Sequence, residues 1–438
     1  MRSSKLLAGV FVGGALQAAA ACAGSTDNAS PAPKPDVDDT TLADAATDAV
    51  PADGGTDSSL DGSMCSPAGW CPTTLPNPDF LVQDIWPFED RAFAVGISPT
   101  VGVKVMEWTA DAKSWSYIDD DTQNAVGFGS YIGSLWAPNE NELYFTVEPR
   151  YVYHGTRGPG AEWTWTRQQL PDNGSTRPAS AGGNPSLYFP GQLSGVKYPA
   201  LGVFGTGVSD VYAWFTNTIF HWKDDGSGAP TWVAEYSVEE PTSLDDSTFI
   251  LSAGASPSGE MWFAGATNWY SNGGCAIVIQ KSASGYTRIA DGTVIHSGAP
   301  AECATKPGYL ALRGLIADLQ FTPSGRIFGL NWTGGIVEFL PGATDHDWSF
   351  RASKPAFVGI SNAYLSMWAP SDAEHWLAGD GVVVQGSNVL NGGESWEISS
   401  IAQNGAPVRS LFYRIRGTST SNIWAVGNHY ALHKTATP

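Results

Sequence analysis

MWAPSDAEHWLAG, from Met367 to Gly379, is the unit from which this chain is built: a short strand, a Ser- and Asp-bearing turn, and a second strand opened by an aromatic among small residues. LWAPNENELYFTV, from Leu135, and RGTSTSNIWAVG, from Arg416, repeat it. The second-strand aromatic recurs seven times, as Phe93, Tyr144, Tyr212, Trp262, Phe328, Trp376 and Trp424, at intervals of 51, 68, 50, 66, 48 and 48 residues. A period near 50 with two extended intervals fits a ring of blades, each made of four short strands.

The rest of each unit recurs as well. VMEW, VYHG, IFHW, VIQK, IVEF, VVQG and ALHK, beginning at Val105, Val152, Ile219, Val278, Ile336, Val383 and Ala431, read as third strands rich in β-branched and aromatic residues. Trp115, Trp163, Trp232, Tyr286, Trp348 and Trp396 then open six outer strands. A seventh has no room after Ala431, because the chain ends at Pro438. Gly69-Trp70 followed by CPTTLP resembles WTRQQLP, from Trp165, so the last blade is expected to borrow its outer strand from the beginning of the chain. That arrangement removes a sheet edge and joins the two ends of the fold. The expectation is an all-β, seven-bladed β-propeller over residues 65–438, closed by strands from both termini.

Fifty glycines, 18 tryptophans and only 15% charged residues suit turn-rich β structure with aromatics wedged between sheets. The first 21 residues do not belong to it. Arg2 and Lys5 precede a small and apolar run from Leu6 to Ala21, which reads as an export signal. AAAC, ending at Cys22, resembles the bacterial lipobox, whose cysteine becomes a lipid-bearing N-terminus; Ala19 stands where that pattern prefers Leu. Residues 22–64 are mostly Asp, Ala, Thr, Ser, Pro and Gly, with nine aspartates and one lysine, Lys34. Such a segment cannot bury enough apolar surface to order itself and reads as an acidic tether. The remaining chain is acidic too, with 20 basic against 34 acidic side chains, which argues against nucleic-acid binding. Beyond Cys22 there are four cysteines, an even number that favours disulfides in an exported chain. Three connectivities exist, and Cys65 with Cys71 and Cys275 with Cys303 is chosen because each pair is local in the repeat map.

The WAPSDAEHWLAG and GTSTSNIWAVG units resemble those of exported bacterial β-propeller proteins whose blades repeat W-x-x-S-x-x-D-V-W-A-V-G, often behind lipoprotein signals and Asp-rich tethers. NGGESW, Asn391 to Trp396, is similar to the Asp-box of sialidase-type propellers, with Asn391 in place of the acid. The first resemblance implies fold and compartment without a defined chemistry; the second implies a structural turn.

Candidate chemistry is thin. His154, His221 and His433 share one repeat position with Glu107, Gln280, Glu338 and Gln385, which points to a recurrent structural bond rather than to a single active site. Glu142, Asp210, Glu260, Glu374 and Asn422, two residues before the aromatic, are expected to cap the turn they follow; Arg91 and Arg326 break that rule. Asp119-Asp120-Asp121 reads as a solvated loop. The two extended links, about 171–202 and 289–318, crowd one face of the ring. Beside them Asn268, Trp269 and Tyr270, and then Asn331 and Trp332, place aromatics next to amides in two successive blades. Such pairs suit stacking on sugar rings or a protein hot spot. The sequence therefore reads as a monomeric, surface-displayed binding propeller for a glycan, a peptide or an envelope partner, touching the membrane through its N-terminal lipid, with no metal and no cofactor. The alternative is a carbohydrate-active hydrolase or lyase on the same face, for which Arg313, Arg351, Arg409 and Arg414, read as lying in the links, are the candidate arginines.

Overall fold

Every repeat becomes one antiparallel four-stranded sheet, and seven such sheets form the β-propeller. The computed structural model describes residues 65–125, 132–171, 188–190, 197–239, 247–269, 273–295, 302–331, 334–343, 347–357, 363–399, 401–403 and 406–435. Residues 1–64, on which the expected signal, Cys22 and the expected tether fall, lie outside the described residues. Blades 1 to 6 span 81–117, 132–169, 201–237, 247–290, 316–353 and 364–399, each ordered from inner to outer strand along the chain. Blade 7 takes Phe412–Ser419, Asn422–Gly427 and Tyr430–Thr435 from the end of the chain and Trp70–Pro72 from its start. Trp70 pairs with Lys434, Cys71 with His433 and Pro72 with Leu432, so both termini close the ring.

Burial explains the sequence pattern. Second strands such as Glu142–Val147 and Asn422–Gly427 are buried almost throughout, because neighbouring sheets cover both of their faces. Outer strands such as Ser395–Ser399 are mostly exposed. The glycine of the signature has a steric cause. A Cβ at Gly379 would sit 2.0 Å from the Ala363 carbonyl oxygen, and one at Gly427 2.0 Å from that of Leu411, where the entering inner strand crosses the second.

The turn position proves to be one half of a side-chain pair. In all seven blades the second-strand aromatic lies opposite the third-strand polar residue, placing that residue near the side chain two before the aromatic. Glu142 Oε1 lies 2.9 Å from His154 Nε2, and Asp210 Oδ1 3.1 Å from His221 Nε2. Gln385 donates to Glu374 Oε1 at 2.9 Å, and Asn422 Oδ1 lies 2.9 Å from His433 Nε2. Where the third strand carries Glu, the partner is Arg: Arg91 meets Glu107 at 2.5 Å and Arg326 meets Glu338 at 2.6 Å. This corrects the expectation of a backbone cap, and it accounts for Arg91 and Arg326. The acceptor also serves the aromatic: Tyr144 donates to Glu142 at 2.9 Å and Trp376 Nε1 to Glu374 at 2.8 Å. His154, His221 and His433 stack on Tyr144, Tyr212 and Trp424 with centroids 4.1 to 4.2 Å apart.

Asp119-Asp120-Asp121 also departs from expectation. Asp119, its side chain 1% exposed, accepts from Val105 N at 2.9 Å and Gln123 Nε2 at 2.8 Å and pairs with Lys104 at 3.2 Å. Asp121 takes Lys104 and Asn124, each at 2.7 Å. The segment is a clasp on blade 1, formed because Lys104 and two amides converge on its carboxylates. The NGGESW turn is tied to its neighbours: Asn391 accepts from Arg326 of blade 5 at 3.0 Å and donates to the Asp372 carbonyl at 2.8 Å.

Candidate ligand face and the clasps beneath it

Six of the seven inner strands carry a β-bulge close to their start. Two residues before the partner of the second-strand aromatic, the blades place Asp84, Ser134, Gly202, Ser252, Asp318, Ser366 and Arg414 in turn. Four of these side chains hold a backbone N–H of the next blade. Asp84 accepts from Leu135 N at 2.9 Å, Ser134 from Val203 N at 2.7 Å, Asp318 from Met367 N at 3.1 Å and Ser366 from Ile415 N at 3.2 Å. Arg414 closes the circle, 3.1 Å from Asp84 and 3.3 Å from Asp318. Blade 3 has only a glycine at this position, and Ser252 Oγ of blade 4 has no partner.

Two carboxylates thus converge with an arginine, the arrangement that would favour an enzyme, but they are not presented to a substrate. Asp84 is 0% exposed and Asp318 2%. Arg416 Nε adds a second cation 3.4 Å from Asp84, so two acids meet two guanidiniums. Buried charges persist when paired and hydrogen-bonded in this way. Burial works against the Arg414 charge, yet Asp84 and Asp318 outweigh it and hold its pKa above the ordinary value.

One residue earlier on the inner strands, the bulges supply Leu251, Ala317 and Leu365, which pack with Phe249 and Leu315 into an apolar plug. Tyr413 flanks the plug on the blade 7 side; burial raises its pKa, opposed by hydrogen bonds from Gln83 and Asn428.

Three links carry hairpins of their own: Tyr188–Pro190 with Lys197–Pro199, Gly292–Ile295 with Glu302–Thr305, and Ala402–Gln403 with Ala406–Pro407. The third was not anticipated from sequence. Both expected disulfides are present. Cys65 to Cys71 closes the loop before the borrowed strand, and Cys275 to Cys303 ties the second hairpin to blade 4. Gly292 lets that bond pass, since a Cβ there would lie 2.4 Å from Cys303 Sγ. At the base of the hairpin, Asp291, 4% exposed, takes Arg288 at 2.7 Å and Lys306 at 2.8 Å, and Arg288 also donates to Tyr236 at 3.0 Å. This arm is fastened by covalent and ionic bonds together.

The residues singled out from sequence fall at the ends of second strands. Asn268 and Trp269 close that of blade 4, their backbones opposite Gly274 and Gly273. Their side chains, together with Tyr270 and Trp332, lie outside the described residues. Asn331 closes the second strand of blade 5, where blades 1, 4, 6 and 7 have the signature glycine, as Gly96, Gly265, Gly379 and Gly427. It is 5% exposed, and its amide donates to the Arg313 carbonyl at 3.0 Å, holding the long link to the blade. Of the four arginines, Arg313 and Arg409 lie in links. Arg351 belongs instead to the outer strand of blade 5, and Arg414 to the inner strand of blade 7. Among the described residues no group of three or more His, Cys, Asp or Glu could hold a metal ion, and no helix is long and apolar enough to cross a membrane.

No protein family and no curated protein matches the chain. Solved structures do match in fold. YCF48 from Cyanidioschyzon merolae superposes with a TM-score of 0.51 at 16% identity, covering 84% of this chain and 98% of that one. YCF48 bound to D1 peptide gives a TM-score of 0.51 at 18% identity, covering 84% and 96%. At such identities the likeness establishes the propeller fold.

Proposed function

We propose that this chain is an exported binding or scaffold propeller that recognises its partner, a glycan, a peptide or an envelope component, on the face carrying the hairpin-bearing links. One observation carries the reading: the links on this face bear a disulfide-fastened arm and extra hairpins, while Leu251, Leu365 and Phe249 of the inner strands are packed into a buried cluster. The convergent carboxylates beneath are bonded within the fold, which favours display over hydrolysis. A peptide is the first class to try, since a propeller of similar fold has been solved with one. Glycan arrays and pull-downs with the disulfide-bonded 65–438 fragment test the proposal. Saturable binding that is lost on altering the links supports it; turnover of a glycan substrate would establish the enzyme alternative instead.

The proposed platform is Trp269 with Trp332. Replacing either by Ala is expected to weaken binding by about 1 to 3 kcal/mol, the range of a modest aromatic hot spot, with little change in the melting temperature. A large loss of stability with unchanged affinity would place that indole in a loop core. Export and anchoring have their own readout. Two disulfides suit an oxidising compartment. Mass spectrometry of the protein from cells should find no free thiol among Cys65, Cys71, Cys275 and Cys303, and a diacylglyceryl group on Cys22. An unmodified Cys22 would remove the anchor from the proposal, and free thiols would remove the compartment.

A further inference from the structure

His375 stands immediately before the second-strand aromatic of blade 6, where the other blades put Ala92, Leu143, Val211, Met261, Ile327 and Ile423, all buried. Six blades thus use an apolar residue at a site that packs between sheets. The histidine is 0% exposed, and neither ring nitrogen has a hydrogen-bond partner. Its ring meets Phe328 of blade 5 edge-on, with centroids 4.4 Å apart. A polar ring with no partner in such a slot is costly, and a charged one far more so.

The charged groups around it offset that cost only in part, since Glu338 and Asp372 favour the charged ring while Arg326 opposes it. Arg326, on the turn of blade 5, adds a second positive charge near the ring. Glu338, on the third strand of blade 5, is held by Arg326 and Arg351 at 2.6 and 2.5 Å. Asp372, on the turn of blade 6 itself, accepts from Ser324 at 2.5 Å, and its carbonyl takes Arg326 at 3.0 Å. A protonated His375 would therefore sit beside an arginine with both nearby carboxylates already engaged.

We propose that His375 makes the seam between blades 5 and 6 an acid-sensitive joint, one that takes up a proton far more readily when it opens. Burial, reinforced by Arg326, pushes the imidazole down to about 4 in the folded ring, against 6.5 when it is released. The folded state thus binds this proton more weakly. Its stability is complete above pH 6.5, falls as the pH drops toward 4, and loses nothing further from this group below that. The shift corresponds to a roughly 300-fold change in the folding equilibrium over that window. This inference does not depend on which ligand the link face binds.

The experiment follows denaturation of the intact, disulfide-bonded protein between pH 7.5 and 4.5, comparing wild type with His375→Leu and His375→Gln. Neither replacement titrates, and Gln keeps a polar side chain should Leu pack badly. The expected result is that wild type loses about two orders of magnitude in folding equilibrium relative to either variant on acidification. Parallel pH profiles for wild type and both variants would overturn the proposal. Hydrogen exchange at pH 5, corrected for intrinsic rates, supplies the local readout: faster exchange in Ile327–Asn331 and Tyr364–Trp368 of wild type alone is expected. Acceleration spread equally over all blades would overturn the joint. A His375 ring titrating near 6.5 in the folded protein, by NMR, would overturn it equally.

Discussion

Deleting residues 65–76 is expected to lower the melting temperature by roughly 10 °C or more, or to abolish folding, although only twelve residues at the edge of the domain are removed. The strand they provide is short, but its anchor is large. Trp70 is 0% exposed in a cluster with Trp376, Ile415 and Leu432, and its Nε1 donates to Ser399 Oγ of blade 6 at 2.8 Å. Removing a buried Trp side chain costs about 3 to 5 kcal/mol by itself. Thr73 extends the tie to blade 1: its Oγ1 donates to the Ala431 carbonyl at 2.7 Å and accepts from Trp115 Nε1 at 2.9 Å. The deletion also bares the edge of Tyr430–Thr435, a template for pairing between molecules, so aggregation should accompany the lost stability. Calorimetry of the truncated and intact domains checks this, with Trp70→Ala separating the anchor from the ladder. If the truncated domain melts with the intact one, the ring does not depend on closure by both termini.

The parts of the fold legible in the sequence were those that repeat. Seven aromatics at a period near 50 gave the blade count, and the missing seventh outer strand pointed to Trp70. The clasps were encoded as plainly but went unread. From Ser134 to Arg414 the clasp position lies ten residues before the second-strand aromatic in six blades, and Asp84 lies nine before Phe93. Asp, Ser, Gly, Ser, Asp, Ser and Arg do not look like one column until the bulge is known, because the bulge shifts which side chains turn inward. The turn position misled for a related reason. An acid after a turn is an ordinary cap, and only the opposing third strand shows that Arg91 and Arg326 answer Glu107 and Glu338. For the ligand face, loop residues obey no period, so Trp269 and Trp332 could be chosen only for their chemistry. Asn331 illustrates the hazard: as part of an N-W-T motif it suggested display, yet its strand register buries it.

The same register makes the pairing rule testable, with a second large effect. Arg326→Glu alone should cost about 3 to 5 kcal/mol, since it sets a carboxylate against Glu338, whose side chain is 3% exposed, and removes one of its two cations. Glu338→Gln alone should also destabilise, by leaving Arg326 and Arg351 without their shared acceptor. Combined, the two substitutions rebuild in blade 5 the Glu374 and Gln385 pair of blade 6, where Gln385 donates to Glu374 at 2.9 Å. The double variant should therefore recover a large part of the loss, short of the bonds Arg326 makes to the Asp372 carbonyl and to Asn391, each at 3.0 Å. Urea denaturation of the four proteins gives the coupling energy, expected to exceed about 2 kcal/mol in the stabilising direction. Additive losses would mean that the six pairs share a geometry without sharing an energetic role.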